Sequence, residues 1–306
     1  MEKDLVYAVV GCGAIGGFYG AKLANSGKAV NFLLHSDYDY VKLHGLTVES
    51  VDGDIILEHP AVYNDATTMP SADVVLVCLK TTANHQLPEL LRPILKPDST
   101  VIMIQNGLGM ERDLQPIFPG VGIIGAMAFI CSNKVGKGHI RHLDYGALTM
   151  GIHCNVDAAR MDAITRDFRA SSVAITIAPD LNTARWRKLV WNIPYNGLSV
   201  VLNSETDHLM AVEETRSLIR SLMIEVIEAA KACGAEISTS FADEMMEATQ
   251  KMKPYRPSMM LDFLNHRKME ISRMYLSPVA EAKKHGFEMK RTMTVAQMLA
   301  FIEANY

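Results

Sequence analysis

Leu5-Val6-Tyr7-Ala8-Val9-Val10-Gly11-Cys12-Gly13-Ala14-Ile15-Gly16-Gly17 is an apolar, valine-rich run that breaks at once into G-x-G-x-x-G. A strand, a glycine turn and a helix in this order make the first half of a βαβ dinucleotide-binding unit, and the three glycines have separate tasks there. Gly11 permits the tight turn, Gly13 lets a pyrophosphate approach the backbone, and Gly16 lets the helix close on the sheet. The helix N-terminus then offers unpaired N–H groups to the phosphates, so Gly11, Cys12, Gly13, Ala14, Ile15 and Gly16 are cofactor-binding candidates. Ala21, Leu23 and Ala24 continue the helix, Ser26-Gly27 ends it, and Val30 to Leu34 is the second strand.

The end of that second strand separates NAD from NADP, and here it reads Leu34-His35-Ser36-Asp37. NAD calls for a carboxylate against the ribose hydroxyls, and Asp37 stands about two residues late for it. NADP calls for a cation against the extra phosphate, and His35 offers only an imidazole that charges beside one. Both cofactors stay open on these residues.

Outward from this unit the alternation of strand and helix continues. Leu46 to Val51 and Asp54 to His59 form a hairpin turned at Asp52-Gly53. Ala72 to Leu79 and Thr100 to Gln105 are apolar enough for parallel strands buried on both faces. They end at Lys80 and at Asn106-Gly107, and ligands of open α/β sheets collect at the carboxyl ends of strands. Asn-Gly is also an ordinary turn dipeptide. Val121 to Ile130 is a further apolar run, and His139 to Ile152 is expected to be an antiparallel pair turned near Asp144-Tyr145-Gly146. His139 and His142, three apart in a strand, fall on opposite faces, so no metal site is expected. Asp157 to Phe168 reads as a helix and Val173 to Ile177 as a last strand.

A domain boundary follows at Pro179-Asp180, giving a Rossmann-type domain over residues 1–180 and a helical domain over 181–306. Helical spacing governs the second: Glu214 to Cys233, Phe241 to Met252, Met259 to Leu276, Val279 to His285 and Thr294 to Ala304. Its many methionines are expected as adaptable core. The fold class is therefore α/β, with an all-α C-terminal domain. At 306 residues, 49% hydrophobic and 21% charged, the chain has the composition of a soluble globular protein of about two domains. A net charge of -4 gives no reason to expect nucleic acid or an acidic membrane as partner. Five widely spaced cysteines without a C-x-x-C pair read as reduced thiols, and the lack of a signal-peptide pattern points to the cytoplasm.

One helix opens the second domain with chemistry on it. In Thr183-Ala184-Arg185-Trp186-Arg187-Lys188-Leu189-Val190-Trp191-Asn192-Ile193-Pro194-Tyr195-Asn196, an ammonium and two amides recur every four residues along one stripe. Leu189, Val190 and Ile193 supply the apolar side. Pro194 removes the hydrogen bond to the Val190 carbonyl and is expected to kink the helix, which loosens the register of Asn196.

In order along the chain, the Gly11–Gly16 fingerprint, Lys80, Asn106-Gly107, Trp186-Arg187-Lys188-Leu189 with Asn192 and Asn196, Pro257-Ser258-Met259 and Glu270-Ile271 resemble the ketopantoate (2-dehydropantoate) 2-reductases. The resemblance spans nearly the whole chain. It implies that Lys188 is the general acid, that Asn106, Asn192, Asn196 and Ser258 hold a small 2-oxo acid substrate, and that Glu270 lies at both cofactor and substrate as a second catalytic group. It also implies a backbone contact from Cys131 to the cofactor, which in that family is NADP. The chain departs from the family pattern in three places. His35 stands where the family has its NADP-selecting arginine, and Thr206 near a further substrate-binding asparagine. Ser272-Arg273-Met274-Tyr275-Leu276-Ser277-Pro278 replaces an Asp followed by Asn-Gly.

Reduction of a 2-oxo acid needs a proton donor at oxygen besides the hydride, and a lysine in a partly desolvated cleft can both steady the developing alkoxide and protonate it. Three functions follow: NADPH-dependent ketopantoate reduction towards pantothenate, reduction of another 2-oxo acid or an imine with NADPH or NADH, and a dinucleotide sensor without catalysis. Amphipathic helices in the second half allow a homodimer.

Overall fold

Parallel strands covered on both faces need apolar side chains at every position, and the runs around Val9, Val75 and Ile102 supply them. In the computed structural model, which describes residues 4–306, these runs are the middle of a ten-stranded sheet. The strands are β1 (Val6–Val10), β2 (Ala29–Leu33), β3 (Leu46–Ser50), β4 (Ile55–Leu57), β5 (Ala61–Tyr63), β6 (Ala72–Val77), β7 (Leu95–Ile104), β8 (Gly122–Gly136), β9 (His139–Cys154) and β10 (Ile175–Ile177). Their order is β4-β3-β9-β8-β7-β6-β1-β2-β5, with β10 paired to β9. Around β1 the pairing to β2 and β6 is parallel. Alternate residues feed two cores: Tyr7, Val9, Val74, Leu76 and Ile102 on one face, Ala8, Val10, Val75, Val77 and Val101 on the other.

The helices are α1 (Ala14–Asn25), α2 (Tyr38–His44), α3 (Leu87–Leu91), α4 (Met110–Leu114), α5 (Ala158–Ala170), α6 (Leu181–Val201), α7 (Thr206–Ala211), α8 (Glu213–Ala232), α9 (Ser240–Lys251), α10 (Ser258–Leu264), α11 (Ser277–Lys284) and α12 (Lys290–Glu303). Two compact units result, one running to Gln105 and resuming over Met110–Leu181, the other made of Asn106–Gly109 and Asn182–Tyr306. The first is a Rossmann-type α/β sheet, and every regular element of the second is helical. Trp186, Leu189, Val190 and Ile193 of α6 are fully buried in the core of the second unit, beside Met259, Met260 and Met274.

Two local expectations are corrected. His139 to Ile152 is not a pair of strands turned at Asp144-Tyr145-Gly146 but one strand, β9, antiparallel to β8, and the turn lies at Gly136–His139. The glycine-containing triplet is a bulge: Ile130 pairs with Tyr145 and Phe129 with Ala147, leaving Gly146 as the extra residue. Met259 to Leu276 is not one helix either. α10 stops at Leu264, His266 takes a left-handed φ of 49°, and Ser272–Leu276 is a π-helical turn leading into α11. At Pro194 the helix α6 is unbroken through all 21 residues.

Candidate active site

In the first unit the close packing of the turn calls for glycine at Gly11 and Gly16. Gly11 has φ +95°, and a Cβ there would lie 2.7 Å from the Leu79 nitrogen. At Gly16 a Cβ would fall 2.2 Å from the Gly11 oxygen, so glycine is what lets α1 rest on β1. At Gly13 a Cβ would meet no protein atom within 4 Å, so packing within the chain does not call for glycine there. Gly13 caps α1 without a side-chain hydrogen bond, and the first turn carries no acidic residue. Burial, with Asp37 adding to it, pushes the Cys12 thiol up to about 12. It stays neutral, and what Ala14, Ile15 and Cys12 offer a phosphate is backbone N–H.

At the end of β2, His35 is exposed, whereas Asp37 is buried. Asp37 accepts from the Gly138 N–H (3.0 Å) and Ser36 Oγ (3.1 Å) and pairs with Lys134 Nζ at 2.6 Å. Burial acts to raise its pKa, but these three partners together hold it below the usual carboxylate range. The ionised form therefore stabilises the fold above that range, and the contribution is lost as pH falls through the lowered value. Asp37 thus ties the β8–β9 hairpin to the end of β2.

Lys80 is exposed where β6 ends and a 3₁₀ turn (Thr81–Gln86) begins. Gln105 fixes that turn: its Nε2 donates to Leu79 O (2.6 Å) and Asn84 Oδ1 (2.7 Å), while Asn84 Nδ2 donates back to Gln105 Oε1 (3.2 Å). The sequence marks Gln105 only as the last residue of a strand; an amide side chain directly before Asn106 is the one signal it carries. Cys131 is buried on β8, and the next residue, Ser132, donates to the Ala14 carbonyl at 3.3 Å, so this strand lies against the first turn of α1. The two histidines do separate. His142 is buried against Phe18, with its ring nitrogens at Ser50 Oγ and the carbonyls of Asp144 and Tyr145, while His139 faces Glu49. Among the described residues no three metal-ligating side chains cluster.

The second unit brings the polar candidates onto α6. Lys188 is half-buried, its Nζ 5.8 Å from the centre of the Trp191 ring, which Thr249 Oγ1 holds by accepting from Nε1 at 2.9 Å. One turn on, Asn192 is buried and its Nδ2 donates to Asn106 Oδ1 at 3.3 Å. A further turn on, and in register beyond Pro194, Asn196 Oδ1 accepts from Met259 N (3.1 Å) and Ser258 Oγ (3.3 Å). Asn106 belongs to this unit because Leu108 N donates to the Arg273 carbonyl at 3.0 Å. Gly107, with φ +101°, passes so close to that carbonyl that a Cβ would lie 2.5 Å from it. Glu270 is buried just before the π-turn, and its carbonyl accepts from Met274 N at 3.0 Å. Thr206 exchanges backbone and side-chain hydrogen bonds with Tyr255 and so anchors the segment leading to Ser258.

A Rossmann-type unit that opens on a G-x-G-x-x-G turn is the fold class of dinucleotide-dependent oxidoreductases. The family model described as ketopantoate reductase PanE/ApbA matches residues 7–155, and that of its C-terminal part matches 180–303. The 2-dehydropantoate 2-reductase of Nostoc sp. is 48% identical over 302 residues, covering 97% of this chain and 95% of that one. A solved 2-dehydropantoate 2-reductase from Geobacter metallireducens superposes with a TM-score of 0.94 at 38% identity, over 97% of this chain and 99% of that one. One from Methylococcus capsulatus gives 0.90 at 29%, over 98% and 97%. The chain belongs to the ketopantoate reductase PanE/ApbA family.

Proposed function

We propose that this chain reduces 2-dehydropantoate to pantoate with NADPH, with Lys188 as the proton donor. The observation that carries the reading is the gathering of Asn106, Asn192, Asn196 and Ser258 around the helix that bears Lys188. When bound, the nicotinamide supplies a hydride to the substrate carbon. Lys188 meets the negative charge growing on the carbonyl oxygen and gives it a proton. The hydrogen bonds already made decide what the amides have left to offer. Asn192 spends an N–H on Asn106, which leaves the Asn192 oxygen to accept and the Asn106 amino group to donate. The Asn196 oxygen is engaged twice, which leaves its amino group to donate. Two amide donors suit a carboxylate, and one acceptor suits the substrate hydroxyl, with no net charge added. Glu270 orients that hydroxyl or Lys188.

The dinucleotide is held by the N–H groups from Cys12 to Gly16, by Lys80 and by the backbone at Cys131. NADPH is favoured over NADH because Asp37, the carboxylate nearest the ribose position, is committed to Lys134 and Gly138, while His35 stands exposed to meet a phosphate. Titration of the purified protein is expected to give a Kd for NADPH at least tenfold below that for NADH. Equal affinities would overturn the cofactor assignment. Reduction of a different 2-oxo acid is the second reading, and it rests on the altered segment after Glu270. A cytoplasmic homodimer fits the exposed apolar side chains of Met298 and Phe301 on α12.

A further inference from the structure

The segment in which this chain departs from the family pattern is the segment that braces the amide cluster. Ser272–Leu276 is π-helical, closed by a hydrogen bond from Ser277 N to Ser272 O, and such turns are found frequently at functional sites. On one side the Arg273 carbonyl accepts from Leu108 N, which pins the loop carrying Asn106. On the other side the fully buried Tyr275 donates from its hydroxyl to the Ile193 carbonyl at 2.8 Å. Ile193 lies between Asn192 and Pro194, and the proline takes away the helical hydrogen bond to the Val190 carbonyl one turn back. Gly197, one turn on, makes room: a Cβ there would stand 2.6 Å from the tyrosine hydroxyl. Tyrosine and glycine are fitted to one another across the turn that carries both asparagines.

We propose that Tyr275 is a positioning residue for substrate: through Ile193 and Arg273 the π-turn sets the spacing between the Asn192 and Asn106 amides. This rests on those amides holding the substrate. Burial raises the Tyr275 pKa well above its ordinary value, so the hydroxyl remains a donor throughout the working pH range.

The test is steady-state kinetics of the full-length enzyme with ketopantoate, comparing wild type, Tyr275→Phe, Asn192→Ala and the double variant, with melting temperatures alongside. Tyr275→Phe keeps the ring and removes the hydroxyl. It is expected to raise the KM for ketopantoate about fivefold to tenfold, well beyond its effect on kcat, and to leave NADPH affinity within twofold. In the Asn192→Ala background the same change is expected to move KM less than twofold, because the spacing it controls no longer matters. A Tyr275→Phe enzyme with a lower melting temperature but an unchanged KM would overturn the inference alone, provided Asn192→Ala raises KM. If Asn192→Ala leaves KM unchanged, or wild type is silent with ketopantoate, the functional reading falls and the inference falls with it.

Discussion

Lys188→Ala is expected to lower turnover about 100-fold or more and to leave dinucleotide binding intact. A hundredfold corresponds to about 2.7 kcal/mol of transition-state stabilisation, an ordinary amount for a positioned acid. The asymmetry follows from placement. The G-x-G-x-x-G turn belongs to the first unit, whereas Lys188 stands on α6 in the second, half-buried beside Trp191. Its loss should leave the fold standing, since the apolar side of α6 is carried by Trp186, Leu189, Val190 and Ile193. Turnover is measured by NADPH oxidation, and binding by titration of the same preparation. A variant that turns over at the wild-type rate would remove Lys188 from the mechanism.

Gly16→Ala should act at the other end of the reaction. The added Cβ would lie 2.2 Å from the Gly11 oxygen, 2.9 Å from Val9 Cγ1 and 3.0 Å from Cys78 Cβ. A backbone oxygen cannot swing aside, so α1 must lift from β1 and carry its N-terminal N–H groups with it. We expect NADPH affinity to fall at least tenfold and stability to fall by about 1–3 kcal/mol, the scale of overpacking in a tight core. Gly13→Ala separates packing from ligand contact: its Cβ meets no protein atom within 4 Å, so the melting temperature should hold while affinity drops. Gly120→Ala, also with open space around it, serves as the neutral control. Gly16→Ala enzyme that binds NADPH as wild type does would contradict the role given to the turn.

The parts of the fold legible in the sequence are those whose physics is local. An apolar run ending in G-x-G-x-x-G specifies its own strand, turn and helix, and the four-residue recurrence of Lys188, Asn192 and Asn196 specifies its own stripe. Long-range partners decided the rest. The Asp144-Tyr145-Gly146 triplet has turn composition, but β9 runs through it as a bulge because β8 pairs with it from end to end. Met259 to Leu276 has helical spacing throughout, yet it breaks after Leu264, where the Arg267 carbonyl accepts from the Tyr306 hydroxyl and the Met269 N–H donates to Glu303. Asn106 directly follows a strand of the first unit, yet its hydrogen bond to Asn192 lies in the second, with which the resemblance already groups it. Gln105 and Tyr275 carried no motif at all. Each matters through hydrogen bonds to residues more than twenty positions away.

The most direct test is NADPH oxidation by the purified protein with ketopantoate, beside a panel of other 2-oxo acids. Oxidation that depends on ketopantoate, with pantoate formed in equal amount, is the predicted result. No oxidation with ketopantoate, together with rapid reduction of another 2-oxo acid, would contradict the substrate assignment and leave only the fold and the proton donor in place.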